Sequence, residues 1–126
     1  MIKGRKITIF FVLCLLFIVI LGCQTPLDYT GADLHGRNLS GDNMSKADLN
    51  GADLSGANLN GTNLRGASLV NANLRDATMN GADLTGADLT GADLTGTSLV
   101  GAKLTGAKVT GTQLSQCASY EGAAMP

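Results

Sequence analysis

The chain has no tryptophan, one histidine and two tyrosines, and its three phenylalanines, Phe10, Phe11 and Phe17, all fall near the start. From residue 23 onward Tyr29 and Tyr120 are the only aromatics, too little bulky material to fill an ordinary globular core of about 100 residues. Formal charge is nearly balanced, nine basic against ten acidic residues, which leaves no field strong enough to attract a polyanion or to imitate one. A single histidine, His35, excludes a histidine cluster. The three cysteines, Cys14, Cys23 and Cys117, do not form the even, spaced set of a disulfide framework.

Residues 1–22 stand apart in composition. Lys3, Arg5 and Lys6 precede an apolar run from Ile7 to Leu21 in which Thr8 is the only polar residue, the layout of a signal peptide. As a helix the run spans about 22 Å, short of the roughly 30 Å hydrocarbon core, so a permanent transmembrane anchor is the weaker reading. The run ends in Ile20-Leu21-Gly22-Cys23, which resembles the lipobox of bacterial lipoproteins. That resemblance implies cleavage between Gly22 and Cys23, a covalent lipid on Cys23 and attachment to a membrane of the bacterial envelope. Gln24 in place of aspartate implies the outer membrane in preference to the inner. Cys117 is then the sole free thiol, a small residue in an end cap, with an intermolecular disulfide as its functional alternative.

What the chain has in abundance is a period. Leucine, replaced twice by methionine and once by valine, recurs every fifth residue for seventeen consecutive fives, from Leu34 to Leu114. Five matches neither the 3.6 of a helix face nor the 2 of a flat strand, so the apolar stripe survives only if the chain turns a corner every five residues. Two before each centre stands a small residue, Ala in twelve fives, with Thr62, Thr97, Thr112, Arg37 and Asp42 as exceptions. Positions two apart in extended chain share a face, so both point inward. The residue just before the centre is polar throughout. Two after it stands Gly in thirteen fives, as a corner with positive φ requires. Asn71 and Asp76 tolerate that conformation, whereas Lys46 and Gln116 fit it poorly.

The assembled motif, Ala-Asp/Asn-Leu-Ser/Thr/Asn-Gly, is clean at Ala52-Asp53-Leu54-Ser55-Gly56, at Ala57-Asn58-Leu59-Asn60-Gly61 and from Ala82 to Gly96. It closely resembles the pentapeptide-repeat family over residues 32 to 116. The resemblance implies an all-β fold, a right-handed quadrilateral β-helix with four pentapeptides per coil, here about four coils preceded by a signal-peptide helix. Coils about 4.8 Å apart give a rod about 20 Å long. Residues twenty apart then stack, giving core columns Leu34-Leu54-Leu74-Leu94-Leu114, Leu39-Leu59-Met79-Leu99, Met44-Leu64-Leu84-Leu104 and Leu49-Leu69-Leu89-Val109. The expected domains are a signal peptide (1–22), a short linker (23–30) in which Tyr29 sits on the register and caps the core, the β-helix (31–116), and a cap or disordered tail (117–126).

The same register places surface residues. Asp83 should stack on Lys103, Asp88 on Lys108 and, unfavourably, Asp33 on Asp53; His35 should lie over Ser55 as ordinary surface. Asp83, Asp88 and Asp93 fall on three faces and form no cation site, and the period of five excludes the nine-residue calcium-binding β-roll. Thr85, Thr90, Thr95, Thr105 and Thr110 could form a hydroxyl lattice, but threonine is also simply a good exposed β residue. Val70 and Val100 break the polar pattern on different faces. No pairing of nucleophile with base and no metal-ligand set is visible, so the expectation is a non-enzyme without cofactor, metal, small-molecule substrate or nucleic-acid partner. It would act as a membrane-tethered structural or interaction lipoprotein for an unidentified envelope protein, with its oligomeric state open. The family's alternative is a DNA mimic that protects gyrase. Seven aspartates against six basic residues between Leu34 and Gln116 oppose that reading, as do the short rod and the lack of an evident C-terminal dimerisation helix.

Overall fold

The structure, a computed structural model, describes residues 26–126; the expected signal segment, Gly22 and Cys23 lie outside the described residues. From Asp28 onward the chain winds in turns of twenty residues. Each residue just before a repeat centre forms a parallel bridge to its counterpart twenty residues on, Asp28 to Asp48, Asp33 to Asp53 and so on to Asp88 with Lys108. Four such bridges per turn give four sides, each touching its neighbours through a single paired residue. Side 1 is centred on Tyr29, Leu49, Leu69, Leu89 and Val109, and side 2 on Leu34, Leu54, Leu74 and Leu94. Sides 3 and 4 begin at Leu39 and Met44.

The pentapeptide closes its own corner and ties itself to both neighbouring coils. Leu54, for example, donates its amide to the Asn73 carbonyl below (2.8 Å), Asp53 donates to the Ala32 carbonyl above (2.9 Å), and Ala57 turns back to the Leu54 carbonyl (3.0 Å). Corner glycines hold positive φ, and Lys46, Asn71 and Asp76 adopt it too at 57 to 59°. The side chains of Asn71 and Asp76 lie over Gly91 and Gly96 one coil below, where a Cβ would overlap them.

The centres form a continuous apolar axis, with Leu49, Leu54, Leu59, Leu64, Leu69, Leu74, Met79 and Leu84 at 0 % exposure and Val109 half-buried. At about 2 kcal/mol per buried leucine the columns supply the main drive to fold. Thr62 and Thr97 enter the small inner slot because their hydroxyls donate to the Leu39 and Leu74 carbonyls, at 2.8 and 2.7 Å. Arg37 and Asp42 occupy the slot only in the first coil, where it is open and both are exposed.

Two expectations about the boundaries are corrected and a third is narrowed. The proposed 23–30 linker is already folded at its end: Asp28 is paired, and Tyr29 is a buried centre at 7 % exposure. The last five of the expected 31–116 repeat is not a coil side, because residues Gly111–Ser115 form a short helix, α1, which still buries Leu114. Gly111 therefore lacks the positive φ of the other corners. Finally, of the two alternatives for 117–126, a cap or a disordered tail, the segment is an ordered cap paired onto the fourth coil. Ser98 pairs with Ser119 and Lys103 with Ala124, twenty-one residues on, and Gly122 makes a corner at φ 68°. The ladder thus runs through five coils, 27–46, 47–66, 67–86, 87–106 and 107–126, rather than about four.

Candidate functional surface

A second rule governs the outer surface. The amide of the residue after each centre points outward and needs an acceptor. Where the residue before the centre is Asp or Asn, its Oδ1 supplies one two residues back, as Asp53 does for the Ser55 amide at 3.0 Å. Ser68, Thr78 and Ser98 do not supply it, and above each of these sides the previous coil carries an asparagine. Asn50 Oδ1 accepts from the Val70 amide (2.9 Å), Asn60 Oδ1 from Asn80 (2.8 Å) and Asn80 Oδ1 from Val100 (3.0 Å). Asn50 and Asn80 also accept from the Ser68 and Ser98 hydroxyls at 2.7 Å.

His35 lies over Ser55 as the register requires, Nδ1 to Oγ at 2.9 Å. Ser55 donates its hydroxyl proton to Asp53 Oδ1 (2.6 Å), which also accepts from Asn73 Nδ2 (3.1 Å). With that proton committed, the hydroxyl accepts from the imidazole, so His35 is not placed as a base toward Ser55. The Ser55 hydroxyl, and then its amide, hold the Asp53 carboxyl below its ordinary range.

Asp83, Asp88 and Asp93 fall on three different sides, in columns with Asn63, Ser68 and Asn73 respectively. Among the described residues no three His, Cys, Asp or Glu converge to hold a metal ion. These aspartates anchor cross-coil ion pairs instead. Asp83 lies between Arg65 (3.3 Å) and Lys103 (3.9 Å), and Asp93 meets Arg75 at 3.3 Å. Asp88 meets Lys108 at 2.8 Å; that ammonium, followed by the Thr90 hydroxyl and amide, draws its carboxyl down to about 2. Asp28 over Asp48 and Asp33 over Asp53 are like-charge stacks on sides 1 and 2. The threonines do not make one lattice: Thr85, Thr90 and Thr95 follow Leu84, Leu89 and Leu94, which lie on sides 4, 1 and 2, and Thr90 spends its hydroxyl on Asp88.

The final coil is where the surface changes. Thr110 and Gln113 form a capping box at the start of α1, and Gln113 Nε2 donates to the Leu89 and Ala92 carbonyls at 2.8 and 2.9 Å. In the inner coils a main-chain amide fills the second of these places, as Asn73 does for Ala52. Burial raises the Cys117 thiol above its ordinary range, so it is not an activated nucleophile. Among the described residues the exposed large apolar side chains, Val100, Tyr120 and Met125, belong to the last two coils and to the adjoining sides 3 and 4.

A model of pentapeptide repeats matches residues 30–66, 57–96 and 82–117. The chain belongs to the pentapeptide-repeat family. Among solved structures it is similar to a pentapeptide repeat protein of the Arabidopsis thaliana thylakoid lumen, at 36 % identity and a TM-score of 0.61, over 72 % of this chain and 59 % of that one. Two weaker likenesses, each with a TM-score of 0.30, carry no structural argument. HetL of Nostoc sp. strain PCC 7120, involved in heterocyst differentiation regulation, is 28 % identical over 79 % of this chain and 60 % of its own. QnrB1, a plasmid-mediated fluoroquinolone resistance protein, is 24 % identical over 78 % and 57 %. The chain thus spans about three fifths of the length of these pentapeptide-repeat proteins. No curated protein matches it.

Two features of the surface escaped the sequence reading. The asparagines at 50, 60 and 80 signal themselves by preceding Ser68, Thr78 and Ser98 at a fixed distance of eighteen residues. The tail signals itself as Ala118-Ser119-Tyr120-Glu121-Gly122, a repeat displaced by one residue.

Proposed function

We propose that this pentapeptide-repeat protein is a non-enzymatic interaction module tethered to the bacterial envelope through a lipid on Cys23. Supporting the tether is the lipobox-like Ile20-Leu21-Gly22-Cys23 directly ahead of a ladder that is already paired at Asp28. With so short a connection the first coil stands close to the membrane surface and the fifth points away from it. The observation that carries the interaction reading is the apolar face of the fifth coil, where the centres Tyr120 and Met125, aligned with Leu99 and Leu104, are exposed, with Val100 exposed on the outer surface of the side that Tyr120 joins. Exposed apolar groups of this kind, rimmed by polar residues, are characteristic of protein contacts. Outer-membrane placement follows from Gln24 and belongs to the same proposal.

Mass spectrometry of the mature N-terminus from fractionated native cells tests the tether. Acylated Cys23 in the membrane fraction supports it, whereas an intact Met1 terminus on soluble protein overturns it and revives the gyrase-protection alternative. Crosslinking in cells tests the far end. Tyr120→Ser with Met125→Ser should abolish the captured partner band without altering the amount of lipidated protein, and an unchanged band overturns that assignment.

A further inference from the structure

The three compensating asparagines are each followed by glycine: Asn50-Gly51, Asn60-Gly61 and Asn80-Gly81. Asn-Gly is the dipeptide most prone to deamidation, because glycine lacks the Cβ that hinders approach of its own nitrogen to the preceding side chain. The glycine nitrogen attacks Asn Cγ, the N–Cγ bond forms and the Cγ–Nδ2 bond breaks. Ammonia leaves with the amide proton, and water opens the succinimide to aspartate or isoaspartate. The other asparagines are less exposed to this chemistry, since Asn38, Asn43, Asn58, Asn63 and Asn73 precede leucine or methionine and Asn71 precedes alanine.

Both reacting ends of each pair are held by the coil below. Gly51, Gly61 and Gly81 donate their N–H to the carbonyls of Val70, Asn80 and Val100 at 2.9, 2.9 and 2.8 Å. The carboxamides reach in the same direction, their Oδ1 atoms fixed on the amides of Val70, Asn80 and Val100. Attack requires the nitrogen to give up its ladder bond and the carboxamide to leave its own. We infer that Asn50, Asn60 and Asn80 are latent deamidation sites silenced by coil stacking, and that modification records coil opening in one direction only. Isoaspartate adds a methylene to the backbone, so the five-residue spacing is lost and the coil cannot rejoin the ladder.

Protection in each case comes from the coil that follows, and so depends on which end opens. Asn80 is covered by the fourth coil, which rests on the fifth with its helical corner and displaced register. Asn50 and Asn60 are covered by the third coil, which has regular coils on both sides. Asn80 is therefore the first site to react.

The test is peptide mapping of the rod after incubation at mildly alkaline pH, folded and in urea, with isoaspartate detected by enzymatic methylation. All three sites should react in urea. In the folded protein each should react more than about tenfold more slowly, the factor that an opening free energy of about 1.4 kcal/mol imposes, with Asn80 ahead of the other two. Equal rates with and without urea overturn the protection, and Asn50 or Asn60 ahead of Asn80 overturns opening from the fifth coil.

Discussion

The second to fourth coils and the fifth are written in the same alphabet but folded to different tolerances. In the inner coils every side is a five-residue unit with its small and large side chains buried, bridged above and below except at Asp93, which has no bridge to the fifth coil. In the fifth, Thr112-Gln113-Leu114 keeps the pattern and Leu114 stays buried, yet the segment becomes α1. Lys108 offers no acceptor to the amide two residues on, and the Thr110 amide is met by Gln113 Oε1 at 2.9 Å. That bond and the return bond from Gln113 N to Thr110 Oγ1 at 3.2 Å close a capping box and start a helix. A leucine period therefore fixes what is buried, but Lys103, equally without an acceptor, is followed by an ordinary corner at Gly106 (φ 67°), so it is the capping pair of Thr110 and Gln113 that marks the helix.

The largest break in this comparison comes from the centres themselves. Leu74 is fully buried with a leucine above and below, whereas Leu114 is 7 % exposed and ends its column. Leu74→Ala should cost about 3 to 5 kcal/mol, near the upper end for a leucine truncation, and Leu114→Ala distinctly less because the end of the rod can collapse around it. Leu74→Lys should unfold the rod by placing a charge in the column. Denaturant titration followed by circular dichroism measures all three, and equal losses for the two alanine variants would remove the distinction between inner and final coils.

A sharper probe is Gln113→Ala, which removes the capping box and the two bonds to Leu89 and Ala92 while leaving every apolar centre in place. Loss of the cap and its surrogate bonds should cost about 1 to 2 kcal/mol. The effect should be local: hydrogen exchange should quicken at Ala118 and Ala124, whose amides donate upward from the fifth coil to Thr97 and Ala102 at 2.9 Å, and not at Asn73 or Thr78. Acceleration spread evenly along the rod would mean that the ladder opens as one unit.

How far the sequence could be read follows the same division. The period, the inner alanine slot and the stacking of Asp83 on Lys103 or His35 on Ser55 were legible because each depends only on residues five or twenty apart, and a solenoid turns that spacing directly into contact. The ends were not. Tyr29 was visible as the next centre, but Leu27 in the alanine slot hid the repeat that holds it. At the other end a single extra residue after α1 moved Tyr120 and Met125 off the five-residue count, although Gly122 still marks their corner. The asparagine rule was hidden for a different reason: acceptor and donor lie in different coils, so neither residue looks unusual within its own pentapeptide. The far-end apolar group was missed because Val100 was weighed alone, before the displaced register brought Tyr120 onto the same side.

The smallest expected effect is electrostatic. Hydrogen bonds and ion pairs hold Asp53, Asp83, Asp88 and Asp93 below the ordinary carboxylate range in the folded rod. In the unfolded chain they titrate near 3.9. A depressed folded value means that the unfolded state binds the proton first, so this contribution is complete above about pH 4 and is lost as the pH falls toward the folded values, about 2 for Asp88. The melting temperature should fall through that window. Asp88→Asn should melt slightly lower than the parent near neutrality, yet lose less of its melting temperature on acidification, since the side that joins the fourth coil to the fifth no longer has a carboxylate to protonate. Asp53, deeper in the rod and held by the Ser55 hydroxyl rather than by a lysine, separates the two kinds of support. Added salt should weaken the contribution at Asp88, where an exposed ion pair is screened, and leave that of Asp53 nearly unchanged. Equal salt sensitivity of Asp53→Asn and Asp88→Asn would show that both carboxylates act through the general field of the rod and not through the partners bonded to them.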